Sequence, residues 1–252
     1  MRPLQILHLY PRELGINGDV GNVTALAQRA RWRSIDVEVK RHDPGDELPS
    51  EIDLIHIGSG PLSGQRAVYS DLRRITPLLL DARDSGTPIL AIAGGWQLLG
   101  RSLVTPEGEE LTGAGVFATT AVLSARRTVG EIVVRRDGGI IAGFENHSST
   151  ITLDAGATPL GRVLGGGGNT SEAPADERME GVRSGDSIGT NLHGPLLPMN
   201  PQLADELLAS ALRRRGDTSA LDDPTRSEGI RTVDDYAARA RAALAARIGV
   251  SA

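Results

Sequence analysis

Pro88-Ile89-Leu90-Ala91-Ile92-Ala93-Gly94-Gly95-Trp96-Gln97-Leu98-Leu99-Gly100 reads as a buried strand, a sharp Gly-Gly turn and the first turns of a helix. Such a turn presents the side chain just ahead of the glycines at the tip of a sheet, beside the free backbone N–H groups of a helix start. An α/β enzyme puts its nucleophile there. Here the position holds Ala93, which cannot attack anything. The sequence has the frame of a catalytic elbow without its reactive atom.

Upstream of this stretch, apolar runs over residues 4–10, 35–39 and 52–57 read as three more strands. Helical spacing of Val23, Leu26, Ala27 and Ala30 predicts a helix over 23–33, capped by Asn22 or Thr24. A second helix is predicted over 65–85, with Pro77 kinking it or dividing it in two. Strands alternating with helices imply a central, mostly parallel sheet covered by helices on both faces. Ligands of such sheets bind at the carboxyl ends of the strands. Three loops converge there: residues 12–22, 58–65 and 93–97.

Downstream, the pattern changes to a mixed β extension. Short strands are expected over 116–123, 131–135 and 140–144, the last running into the polar cluster Glu145-Asn146-His147 at a strand end. The glycine-rich run over 165–176 reads as a mobile surface loop; a phosphate loop needs a following Lys and helix, and neither is present. A hairpin-like pair is expected over 182–192, then a helix over 201–215 with Leu203, Leu207, Leu208 and Leu212 on its apolar face. The domain organisation is therefore residues 1–215 as one α/β domain, 216–231 as a polar linker, and 232–252 as a terminal helix packing on that domain or on a partner.

Composition narrows the chemistry. The chain has no cysteine among 252 residues, which excludes disulfides, thiolate catalysis and Cys-ligated metals. A net charge of -5 argues against a nucleic-acid binder. No apolar run reaches the length of a membrane span and no signal peptide is evident, so a soluble cytoplasmic protein is expected. His8 and His56 lie inside apolar strands and read as core or strand-end residues rather than ligands. No histidine pair has helical ligand spacing, so no metal site is expected.

Several motifs together resemble one family. They are Gly18-Asp19-Val20-Gly21-Asn22, Ile92-Ala93-Gly94-Gly95-Trp96-Gln97-Leu98-Leu99-Gly100, Gly143-Phe144-Glu145-Asn146-His147 and Gly189-Thr190-Asn191-Leu192-His193-Gly194-Pro195. They are similar, in order, to class I glutamine amidotransferases of the cobyric-acid-synthase-like (CobB/CobQ-like) branch. Within it they most resemble the GatD-type glutaminase subunits of lipid II isoglutaminyl synthases. The resemblance implies a flavodoxin-like class I amidotransferase fold and a heterodimer with a MurT-like subunit of the Mur-ligase family. That partner would hold ATP and magnesium and reach lipid II, activating the α-carboxyl of its D-glutamate. No cofactor is implied for this chain itself.

The same resemblance places the thiol at position 93 and the base at His193. It makes Gly94 an oxyanion donor, with another from Gly58-Ser59-Gly60, and puts Gln97 beside the substrate. Glu145, Asn146 and His147 are then expected behind the site or on the partner surface. Two positions depart from the family. Ala93 stands where the family has cysteine. The loop Gly58-Ser59-Gly60-Pro61 stands where the family has three glycines followed closely by an acid, so the acid is missing, Pro61 lacks an N–H, and Ser59 is expected to clash if its φ is positive. Three functions remain open on this reading. One is a subunit whose glutamine hydrolysis is lost. Another is an active glutaminase carrying a Cys→Ala substitution. The third is a non-catalytic scaffold that binds glutamine or another small ligand.

Overall fold

The structure, a computed structural model, describes residues 2–217 and 228–250. The first hundred residues run β1 (Leu4–Leu9), α1 (Val20–Arg31), β2 (Val37–His42), β3 (Leu54–Ile57), α2 (Leu62–Asp84), β4 (Ile89–Ile92) and α3 (Gly94–Leu99). Next come β5 (Ser102–Val104), β6 (Glu110–Thr112), β7 (Thr119–Arg136), β8 (Gly139–Leu153), β9 (Gly161–Gly165) and β10 (Met179–Glu180). The chain closes with β11 (Val182–Ser184), β12 (Ser187–Thr190), β13 (Leu192–His193), α4 (Leu196–Met199), α5 (Pro201–Arg214) and α6 (Glu228–Arg247).

Six strands form one sheet in the order β11-β12-β4-β3-β1-β2, with every neighbouring pair parallel except β11 and β12. Every residue of β3, β4 and β12 is buried, as expected for strands covered on both faces. On one face pack Leu72, Ile75 and Leu79 of α2 with Trp96 and Leu99 of α3. On the other pack Val23, Leu26 and Ala30 of α1 with Leu203, Leu207 and Leu208 of α5. The elbow therefore ends a central strand.

The second sheet is organised by one long antiparallel pair, β7 with β8, rather than by the three short strands expected from sequence. The turn between them has Gly138 and Gly139 at φ 86° and 125°, a conformation that suits glycine. The polar stretch Ser124-Ala125-Arg126-Arg127 interrupts the alternation, but it is a register shift within β7, not a break between strands. Consequently Glu145, Asn146 and His147 lie well inside β8 and not at a strand end.

Three helical expectations are also corrected. α1 begins at Val20, and neither Asn22 nor Thr24 caps it. Asn22 is inside the helix, where its side-chain oxygen accepts the Leu197 N–H at 2.9 Å. α2 is not divided in two at Pro77 but runs through it as one helix; Pro77 is on the exposed face, where water can serve the carbonyl its ring leaves free. α6 is described from Glu228, inside the stretch expected to be linker; residues 218–227 of that stretch lie outside the described residues.

α6 packs on the domain through Ile230, Ala237, Leu244 and Ala245, the last two against Val133 and Ala142. A buried guanidinium also ties it down. Arg29 of α1 donates to Asp205 of α5 at 2.8 and 2.7 Å and to Asp234 of α6 at 2.7 Å. Among the described residues, no helix is long and apolar enough to cross a membrane.

Candidate active site

The elbow has the backbone that the sequence implied. Ala93 sits at φ 39°, ψ -102°, in a region L residues avoid, at a strain of roughly 1–3 kcal/mol. Two bonds hold the turn there. The Ala93 N–H donates to Thr190 O at 2.8 Å and the Gly95 N–H to Gly58 O at 3.0 Å. The glycines are required by space: a methyl on Gly95 would lie 2.5 Å from Gly58 O, and one on Gly94 2.9 Å from Gly60 O. The Ala93 methyl is buried at the floor of a cavity of about 220 Å³.

His193 reaches this region because the chain changes sheets. β12 lies beside β4, pairing Thr190 with Ile92; one residue later β13 pairs with β8 in the second sheet. His193 is thus at the seam between the two sheets. Its Nδ1 lies 3.0 Å from Asp19 Oδ1, and both side chains are buried. Its Nε2 is buried without a hydrogen-bond partner. An imidazole tied to a carboxylate through Nδ1 and with Nε2 unengaged has the orientation of a general base, although His193 is not among the residues that line the cavity beside Ala93.

Asp19 was not among the candidate residues drawn from the sequence. Its signal was present: an acid between Gly18 and Val20-Gly21-Asn22, in the loop at the carboxyl end of β1. Its second oxygen accepts the Ser59 N–H at 2.9 Å. Burial pushes the Asp19 carboxyl above its usual range, while His193 and the Ser59 N–H pull it back. Glu180 was missed as well. It is fully buried and accepts the Thr190 hydroxyl at 2.6 Å and the Asn191 N–H at 2.7 Å, bracing the crossover that delivers His193. Burial raises its carboxyl too.

The loop after β3 differs from expectation in two respects. Ser59 is not in the left-handed region, so its side chain brings no backbone clash. Its N–H is used by Asp19, so it is not an oxyanion donor. Gly58 contributes its carbonyl to Gly95. Gly60 packs closest to Gly94: a methyl on Gly94 would lie 2.9 Å from Gly60 O and 3.1 Å from Gly60 N. The Gly94 N–H itself faces the Ser59 hydroxyl oxygen at 3.4 Å. Pro61 opens α2 with extended backbone, where a missing N–H is harmless.

Gln97 lines the cavity with both ends of its amide engaged. Its oxygen accepts from Gln65 Nε2 at 3.0 Å and its nitrogen donates to Ser149 Oγ at 3.0 Å. Asn146 and His147 also face the cavity, together with Asn17 and Arg127, which sequence reasoning had not named. Arg127 donates to Asn146 Oδ1 at 2.9 Å. His147 Nδ1 lies 3.1 Å from Ser149 O, so that nitrogen carries the proton.

Glu145 does not line the cavity. Its carboxylate accepts the Gly167 N–H at 2.6 Å and the Gly168 N–H at 3.0 Å. The start of the glycine-rich run is therefore a buried anchor, contrary to the expected mobile surface loop: Gly167, Gly168 and Asn169 are all buried. Gly166 and Gly168 have φ of 117° and 68°, which lets successive N–H groups turn toward one carboxylate. Among the described residues no cluster of three or more His, Asp or Glu is arranged to hold a metal ion.

A strained elbow on a central parallel strand, with an acid-paired histidine at the end of its neighbour, is what a glutamine-hydrolysing site needs apart from the thiol. Residues 5–201 match the model of the CobB/CobQ-like glutamine amidotransferase domain. The chain belongs to this family.

Its relatives agree. The chain is 37% identical over 218 residues to the GatD subunit of the glutamine-hydrolyzing lipid II isoglutaminyl synthase of Staphylococcus aureus, covering 86% of this chain and 87% of that one. The corresponding Streptococcus pneumoniae subunit is 32% identical, covering 84% and 82%. A cobyric acid synthase of Sphingopyxis alaskensis is 30% identical over 69% of this chain but only 34% of its own length. Among solved structures, a glutamine amidotransferase superposes with TM-score 0.56 at 16% identity, covering 83% of this chain and 98% of that one. PurLQS from Thermotoga maritima gives 0.52 at 19% identity, covering 84% and 99%. These last two establish the fold alone: a class I glutamine amidotransferase fold with a mixed β extension.

Proposed function

We propose that this chain is the amidotransferase subunit of a lipid II-modifying ligase, with its own glutamine-hydrolysing step lost. It pairs with a MurT-like subunit of the Mur-ligase family, which binds ATP and magnesium and activates the D-glutamate α-carboxyl of lipid II. Its likeness to two GatD subunits along most of their length supports this assignment. The observation that carries the loss is Ala93 at the elbow. Glutamine hydrolysis on such a site proceeds through a covalent thioester, and a methyl group forms none. Removing the nucleophile of a comparable triad costs about a millionfold in rate. The ligase then draws on free ammonia or another amine, and this chain serves as its structural partner.

A second reading is favoured by one observation. The His193–Asp19 pair is intact, which is the state a single Cys→Ala substitution would leave behind. The test separates the two. The chain is produced together with the Mur-ligase-like protein of the same genome, and the complex is given lipid II, ATP, magnesium and either glutamine or ammonium. Amidation with ammonium alone is expected; efficient amidation from glutamine refutes the loss. Full ammonia release by Ala93→Cys alone would favour the second reading. Calorimetry with glutamine on the unmodified chain tests the remaining alternative, a scaffold that senses the amino acid without chemistry.

A further inference from the structure

We infer that the Ser59 hydroxyl occupies the place of the reaction's oxyanion, so that this site is closed at a second point besides Ala93. The inference rests on the glutaminase ancestry proposed above. A tetrahedral intermediate built on position 93 needs N–H donors on the oxygen it develops. The elbow supplies the Gly94 N–H, and the Gly60 backbone packs against the Gly94 Cα, its nitrogen 3.1 Å from where a methyl on Gly94 would sit. Gly94 lines the cavity, but its N–H already has an acceptor. It is directed at Ser59 Oγ, 3.4 Å away, a hydroxyl oxygen in the position of an accepting anion. Ser59 is 5% exposed and lines the cavity beside Ala93, Gly94 and Gly60.

The backbone of Ser59 is pinned on both sides. Its N–H donates to Asp19 Oδ2 at 2.9 Å and its carbonyl accepts the Ile16 N–H at 3.1 Å. The hydroxyl therefore cannot leave with the loop; it must be displaced by side-chain rotation in a buried space. A carboxamide oxygen entering the site competes with it for Gly94. Restoring a thiol alone leaves that competition in place.

Ala93→Cys makes the only thiol in the chain, so its chemistry can be followed without background. Two reactions of that thiol separate the effects. Alkylation by iodoacetamide is a direct displacement at carbon and develops no oxyanion. Glutamine hydrolysis develops one. Loss of one oxyanion donor costs about 10²–10³ in rate. Ala93→Cys combined with Ser59→Ala is therefore expected to release ammonia from glutamine about 10²-fold faster than Ala93→Cys alone, with alkylation unchanged. Ala93→Cys with Ser59→Thr, which keeps a hydroxyl, is expected to stay slow. Equal glutaminase rates with and without Ser59 overturn the inference, as does a parallel rise in alkylation, which would place the effect on the thiol.

A second measurement needs no turnover. In the unmodified Ala93 background, Ser59→Ala is expected to move the Gly94 amide proton resonance upfield and speed its exchange with solvent. An unmoved resonance overturns the inference. A thiol that is alkylated but releases no ammonia in either Ser59 background overturns the glutaminase reading instead, while the Gly94 resonance still decides where the hydroxyl sits.

Discussion

Replacing Glu145 tests whether the glycine-rich run is an anchor or a surface loop. Glu145→Ala leaves the Gly167 and Gly168 N–H groups, 2.6 and 3.0 Å from the carboxylate, without their acceptor in a buried place. Each stranded donor costs about 1–3 kcal/mol. Part of that is offset because a buried charge disappears at the same time. A net loss of about 3 kcal/mol is expected. For a chain of this size that lowers Tm by about 6–12 °C, at roughly 2–4 °C per kcal/mol. Glu145→Gln keeps one acceptor oxygen but turns an NH₂ toward the other N–H, so it should fall between wild type and Glu145→Ala. Calorimetry gives the order. Hydrogen exchange gives the location: the Gly167 and Gly168 amides should exchange about 10²-fold faster, since each 1.4 kcal/mol is a factor of ten. An alanine variant melting within about 1 °C of wild type, with those amides still protected, would refute the reasoning.

Three further outcomes follow from the geometry. Burial holds the His56 ring neutral, its pKa pushed down to about 3, and His8 likewise to about 4 with help from Arg41. The native state therefore refuses protons that the unfolded chain takes up near pH 6.5, so stability is present above that pH and drains away as pH falls toward 4, by about 3 kcal/mol for each ring. A urea midpoint that stays flat from pH 7 to about 4.5 would contradict this. Arg29→Met removes the cation from two carboxylates on α5 and α6. Because those carboxylates are about a quarter exposed, a loss of about 2 kcal/mol is expected, below the 3–5 of a fully buried pair, with earlier proteolytic release of α6 as the readout. Gly189→Ala puts a methyl 2.5 Å from the Trp96 ring, so overpacking of about 1–3 kcal/mol should appear with a changed near-UV signal from that indole; an unaltered spectrum and Tm would mean the ring moves freely.

The parallel sheet was legible because strands buried on both faces and helices buried on one leave different periods in the sequence. β3, β4, α2 and α5 were found within a few residues of their ends. The mixed extension was read poorly for the same reason. β7 and β8 carry a polar register shift and a row of polar side chains facing the cavity, so their alternation breaks where no strand ends. Glu145-Asn146-His147 looked like a terminus, and the glycine run looked like a loose loop. Nothing local shows that a carboxylate on β8 will meet two peptide N–H groups some twenty residues further on.

The site divides along a similar line. The elbow is a local object: an apolar strand, Ala93, two glycines and a helix in one stretch of sequence, with position 93 exposed as non-nucleophilic by its identity alone. His193 could be named by resemblance, but its chemistry could not. Its acid, Asp19, is 174 residues away in sequence, and the two meet only because β1 and β12 bring their carboxyl ends to the same edge and the chain then steps from one sheet to the other. The placement of Ser59 Oγ on the Gly94 N–H is likewise a distance between two loops. Sequence by itself determined the fold class, the family and the absence of any nucleophile at position 93, because each is written in contiguous residues or in their periodicity. Tertiary structure alone decided the Asp19 partner of His193, the contact of Ser59 Oγ with the Gly94 N–H and the buried glycine anchor, because each is a contact between groups whose separation is set by sheet pairing and not by the chain between them.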